Sequence, residues 1–208
     1  MKIMVAISVA AAIGGNAWAI QPGHVADHQV TVCIDQVPAA GNLPRAEMLA
    51  ANMFSNIGVK LHWRHSCPAA GDSIQIGISV KTPANDSPGA LAYAMPYEGV
   101  HIVVFYDRIN HSARGDLSTV VLAHVLVHEI THVLQGVDRH SESGVMKAHW
   151  TARDYSQMKD RPLPFTDWDI ELIHNGLAAR AGRLAARTAG AEISSADNLD
   201  RTFEQFTQ

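Results

Sequence analysis

The chain lacks a long apolar run. Nowhere do consecutive apolar residues reach the ~18–20 needed to cross a bilayer, so no membrane span is expected. It also lacks an excess of basic charge. Sixteen Lys and Arg face twenty Asp and Glu, a net charge of −4, which excludes a strongly basic nucleic-acid binder as the default reading. Cysteine is scarce, with only Cys33 and Cys67, so at most one intrachain disulfide can form. Internal repeats are absent. What the sequence does have is 47% apolar and 17% charged residues, enough for a real core and inconsistent with disorder throughout. A length of 208 residues favours one domain or at most two small ones. Histidine is over-supplied: twelve residues, more than Trp, Tyr or Met.

The first residues read as an export signal. Lys2 gives a positive start, Ile3 to Ile13 is almost wholly apolar, and Ala17-Trp18-Ala19 supplies the small-x-small pattern of a cleavage site. Residues 1–19 are therefore expected to be a signal peptide, and the mature chain to be secreted or periplasmic, with no stable membrane insertion. No cysteine lies near the cut, which argues against a lipid anchor. In an exported chain Cys33 and Cys67 are expected to pair, a disulfide worth about 3–4 kcal/mol on the chain-entropy estimate. The competing use, a thiolate silencing a metal, finds no prosegment-like surroundings at either cysteine.

The expected fold class is α/β (α+β), in one domain over residues 20–190 followed by a polar, mobile tail over 191–208. Residues 29–34 alternate, placing Val30, Val32 and Ile34 on one strand face. Asn42 and Pro44 suit a helix start, Ala46, Leu49, Met53 and Ile57 continue it, and Gly58 ends it. Val59, Leu61 and Trp63 alternate with Lys60, His62 and Arg64. Ile74, Ile76, Ile78 and Val80 alternate again. The stretch 83–89 reads as a loop, Leu91, Tyr93 and Met95 as a short edge strand, and 100–106 as a strand buried on both faces. A long apolar helix over about 117–135 follows, with Asp116 or Ser118 available as cap and Gly136 as a left-handed stop. Residues 137–165 read as irregular. Thr166 and Asp169 resemble a capping box opening a last helix, with Ile170, Ile173, Leu177 and Leu184 on one side. This order predicts a mixed sheet of about four to five strands packed on a helix and on a buried helix, with a C-terminal helix.

The chemistry concentrates in His128-Glu129-Ile130-Thr131-His132. Residues four apart share a helix face, so His128 and His132 can hold one ion. Glu129 projects beside them, where it can take a proton from a metal-bound water. Zinc lowers the pKa of such a water towards ~7. A catalytic zinc wants a third protein ligand and an open fourth position. Gly136 turns the chain back, and His140 follows four residues later.

The segment 128–146 resembles the metzincin signature: H-E-x-x-H, a helix-ending glycine, a third histidine, then a methionine turn at Ser143-Gly144-Val145-Met146. The spacing departs from the family. Metzincins read H-E-x-x-H-x-x-G-x-x-H, whereas one residue is added here on each side of the glycine. Asp138 occupies the familiar third-ligand position and competes with His140, which is preferred because the glycine has moved too. The resemblance implies one catalytic zinc ion on His128, His132 and His140, Glu129 as general base, and Met146 as a floor beneath the metal. Tyr155 or His149 are candidates for stabilising the transition state, and His124, one turn before His128, for the cleft edge. The implied activity is a secreted zinc endopeptidase acting on protein or peptide, without nucleic-acid partners. The alternatives are a zinc hydrolase of another amide, such as a cell-wall linkage, and a non-catalytic module stabilised by zinc.

Overall fold

The computed structural model describes residues 28–34, 40–66, 73–83, 89–94 and 100–205, with side chains through residue 187. The expected signal segment, Cys67, Met95 and most of the 83–89 loop lie outside the described residues. Period-two alternation builds five strands: β1 (His28–Ile34), β2 (Val59–Arg64), β3 (Ile74–Ser79), β4 (Ala92–Ala94) and β5 (His101–Phe105). They lie in the order β2-β1-β3-β5-β4. All neighbours run parallel except β4, which runs antiparallel along β5 and closes one edge of the sheet. The result is a mixed five-stranded α/β fold, as its sequence pattern predicts. In β2, at the other edge, Val59 is buried while Lys60, His62 and Arg64 are exposed. Two details differ. β5 is not buried on both faces throughout, since His101 is exposed. Val80 lies beyond the end of β3 and is exposed.

The helices are α1 (Leu43–Ser55), α2 (Tyr106–Ser112), α3 (Asp116–Gln135), α4 (Ala152–Asp160) and α5 (Asp167–Gln205). α3 is the centre of the molecule. Every residue from Val121 to Gln135 is buried, and the helix packs against α1, α2, α4, α5, β4 and β5. By length and composition it is apolar enough to cross a membrane, which the count of consecutive apolar residues did not anticipate. Yet 89% of its apolar stretch is buried inside the protein, so its apolarity serves the core. Neither Asp116 nor Ser118 caps it. The N-cap is Gly115, and the Ser118 hydroxyl donates to the Gly115 carbonyl at 2.8 Å. Asp116 stands exposed in the first turn, 3.6 Å from Arg45. At the other end Gly136 adopts the left-handed conformation, φ 68°, and its N–H closes on the His132 carbonyl at 2.9 Å.

Asn42 precedes α1 as expected, but its side chain does not cap that helix. It accepts from the Tyr106 hydroxyl at 2.8 Å and donates to the Ser118 hydroxyl at 3.2 Å, tying the starts of α1, α2 and α3 together. Two helices were unexpected: α2 follows β5 directly, and α4 interrupts the supposedly irregular 137–165 segment. α5 continues through 191–205, where a tail outside the domain was expected. Among the described side chains its packed face ends near Leu177, since Leu184 is 46% exposed. The C-terminal half of α3 and the segment returning from Gly136 bring the histidines together.

Candidate metal centre

Three histidines meet where α3 ends. His128 and His132 lie one turn apart on the buried helix, and Gly136 reverses the chain so that His140 faces them. One ligand atom of each lies within 4.8 Å of the others. The ring centroids form a near-equilateral triangle of 4.8, 4.9 and 5.2 Å. The structure thus gathers His128, His132 and His140 as one group. Asp138, also on the returning chain, is exposed and stands outside that group, though its charge is felt by both Glu129 and His132.

Backbone carbonyls orient two of the rings. His128 Nδ1 lies 2.9 Å from the Val145 carbonyl, and His132 Nδ1 lies 3.2 Å from the Val137 carbonyl. A carbonyl only accepts, so each Nδ1 carries the proton and each Nε2 presents a lone pair. Those two Nε2 atoms stand 3.1 Å apart. Two lone pairs at that distance repel unless a cation lies between them. Two imidazoles on one tetrahedral zinc, at ~2.0–2.1 Å each, would hold their nitrogens ~3.3 Å apart, so the residues present fit such an ion.

Electrostatics favour neutral rings. Burial pushes His128 down to about 4; the Val145 carbonyl opposes this, and charge on His132 or His140 would add to it. His132 is lowered for the same first reason, with the Val137 carbonyl opposing. Neutral imidazole is the form that ligates metal. Beside them Glu129 is buried, and burial, reinforced by the Asp138 charge, pushes its carboxyl up to about 8. Without a cation it holds a proton at neutral pH. A divalent ion on the three imidazoles would pull it back towards the carboxylate, into the range where it can accept and return a proton.

The turn after His140 carries the carbonyl that orients His128. Gly144 has φ 77°, and a Cβ there would collide with the Pro164 carbonyl oxygen. Val145 donates its N–H to that carbonyl at 2.9 Å, and Val145 and Met146 are wholly buried. The Val145 carbonyl accepts from Trp150 Nε1 at 3.2 Å as well as from His128. The Trp150 ring stands edge-on to His128, with centroids 5.8 Å apart. Sequence reasoning missed Trp150. The available signal was an indole four residues past the turn methionine, which needs an acceptor when partly buried.

The structure also places the remaining candidates. His124 is not at a cleft edge but buried at 1% exposure. Its Nδ1 donates to the Val120 carbonyl at 2.7 Å, and its Nε2 accepts from the Leu163 N–H at 3.0 Å. It is a structural clasp. Tyr155 packs its ring against Trp150 at 6.3 Å, and His149 is exposed. Cys33 is buried at 1% exposure in β1 and is not a free thiol.

No protein-family model matches the chain, and no curated protein matches it. Among solved structures it is similar to the crystal structure of archaemetzincin from Methanopyrus kandleri, at 16% sequence identity and a TM-score of 0.49, over 76% of this chain and 99% of that one.

Proposed function

We propose that the chain is a zinc-dependent hydrolase of metzincin type, acting as an endopeptidase on protein or peptide. The observation that carries this reading is the convergence of three imidazoles, two of them locked by backbone carbonyls with their Nε2 lone pairs facing one another, beside a buried carboxyl. His128, His132 and His140 would hold the ion. Zinc, when bound, polarises a carbonyl and makes hydroxide available at neutral pH. Glu129 takes the proton of the attacking water and returns it to the leaving amine. Its low exposure keeps bulk water from competing for that proton. Met146, wholly buried next to Val145, would form the floor of the metal site. The short edge strand β4 offers its outer side to an extended peptide. A glutamate kept beside the ligands favours catalysis over a purely structural zinc, which has no use for a general base.

The same reading includes a cleaved signal peptide over residues 1–19, a secreted or periplasmic location without stable membrane insertion, and no nucleic-acid partner. It also includes a Cys33–Cys67 disulfide, supported by the presence of only two cysteines and by the engaged state of Cys33.

Casein hydrolysis by the purified mature chain tests the reaction. A chelator should abolish it and added zinc should restore it. Glu129→Gln should keep one zinc per chain while losing about 10²–10⁴-fold in rate. Hydrolysis that survives in the zinc-free chain, or in Glu129→Gln, would remove the basis for this mechanism.

A further inference from the structure

Asp169 is a wholly buried carboxylate that the proposed reaction does not use. Its two oxygens face different tasks. Oδ2 accepts from the Thr166 N–H at 3.0 Å and the Thr166 hydroxyl at 2.7 Å, closing the capping box of α5. Oδ1 reaches back across the fold. It accepts from the Ser141 hydroxyl at 2.6 Å and from Arg139 Nη1 at 3.3 Å. Those two residues flank His140.

The grip extends further. Arg139 also donates to the Ser141 hydroxyl at 3.3 Å, and its guanidinium lies over the Trp168 ring, 5.9 Å from the centroid. The Ser141 N–H donates to the Met146 carbonyl at 2.7 Å, next to the Val145 carbonyl that orients His128. Helix capping alone would need only the Oδ2 half. His128 and His132 ride on a rigid helix, whereas His140 is exposed on a chain without regular structure and needs its place fixed from outside.

We propose that Asp169 is a positioning residue for His140: by holding Arg139 and Ser141 on one carboxylate oxygen, it sets the third imidazole against the pair on α3. The proposal rests on the zinc reading above for its function, but the clamp itself is a property of the metal-free chain.

The test compares Asp169→Asn with the unaltered chain and with Ile173→Val, a core truncation on the same helix that leaves the clamp intact. Asparagine can keep its amide oxygen towards Thr166, preserving the cap, while turning an amide N–H₂ group towards Arg139. Zinc affinity is read by competition with a chromophoric chelator, and cobalt(II) reports ligand geometry by its visible spectrum. Hydrogen exchange over 137–146 is followed in the zinc-free chain. Asp169→Asn should lower zinc affinity about 10–100-fold, weaken the tetrahedral cobalt bands and speed exchange over 137–146. Ile173→Val should change none of these. Affinity, spectrum and exchange all equal to those of the unaltered chain would overturn the proposal. If the unaltered chain takes up no zinc, the zinc reading fails separately. Exchange then decides the clamp: faster over 137–146 in Asp169→Asn with α3 unchanged supports it, and unchanged exchange overturns it.

Discussion

His124 and His128 stand one turn apart on α3 with different duties. Both Nδ1 atoms donate to backbone carbonyls, but His124 Nε2 accepts from the Leu163 N–H, whereas His128 Nε2 points at another ring nitrogen. The sequence alone shows only two buried histidines at helical spacing. The partner of His124 Nε2 lies 39 residues away in the sequence, so the distinction needs the fold. Burial lowers the His124 pKa, with the Val120 carbonyl opposing in part. The native state therefore keeps it neutral, while the unfolded chain takes up a proton near the unperturbed pKa of ~6.5. The His124 contribution to stability is fully present above that value and declines as pH falls below it. At fixed zinc, urea titrations between pH 7 and 5 should show a shallower loss of stability for His124→Gln than for the unaltered chain; parallel curves would show no such linkage. At the ligand position, His140→Ala should lose most of its zinc and nearly all activity, while Asp138→Ala keeps zinc and loses less. Metal analysis of the two variants reads this directly, and the reverse pattern would make Asp138 the ligand.

Among the elements, α4 shows what the sequence offered and what it withheld. Thr151 and Asp154 form a full capping box, the same T-x-x-D pattern as Thr166 and Asp169. The second was legible because an apolar stripe follows it. The first was not, because Met158 is the sole fully buried residue of α4 and no stripe announces a helix. α2 is seven residues long, buries Tyr106 and Ile109, and follows β5 without a turn residue between them, so periodicity has no room to appear. α3, its glycine stop and the strands were legible because burial imposes their periods. The two capping aspartates share a further role: Asp154 bonds Lys147, just past Met146, and Asp169 bonds the neighbours of His140. Between these anchors Gly144 takes a positive φ against Pro164. Gly144→Ala should cost more than about 1 kcal/mol by thermal or urea unfolding, and it should weaken zinc binding, since the Val145 carbonyl that orients His128 would have to move. Wild-type stability and affinity in Gly144→Ala would show that the turn adapts.

For the molecule as a whole, the proposed bridge makes a simple prediction. Denatured, unreduced protein should titrate with no free thiol, and two reactive thiols would rule out a Cys33–Cys67 bond. The larger consequence concerns chain entropy. α3 and α5 are joined by a long segment whose ends meet where Gln135 Nε2 donates to the Asp169 carbonyl at 3.3 Å. Closing a loop grows dearer only with the logarithm of its length, about 0.6 kcal/mol per doubling. The segment is pinned at intermediate points: Val137 to His132, Ser141 to Asp169, Val145 to His128, and Leu163 to His124. Each pin shortens the loop the next one must close, so the contacts favour one another without touching. An ion shared by His128, His132 and His140 is one more pin on the same thread, and its binding free energy would be drawn partly from disorder the polypeptide has already given up.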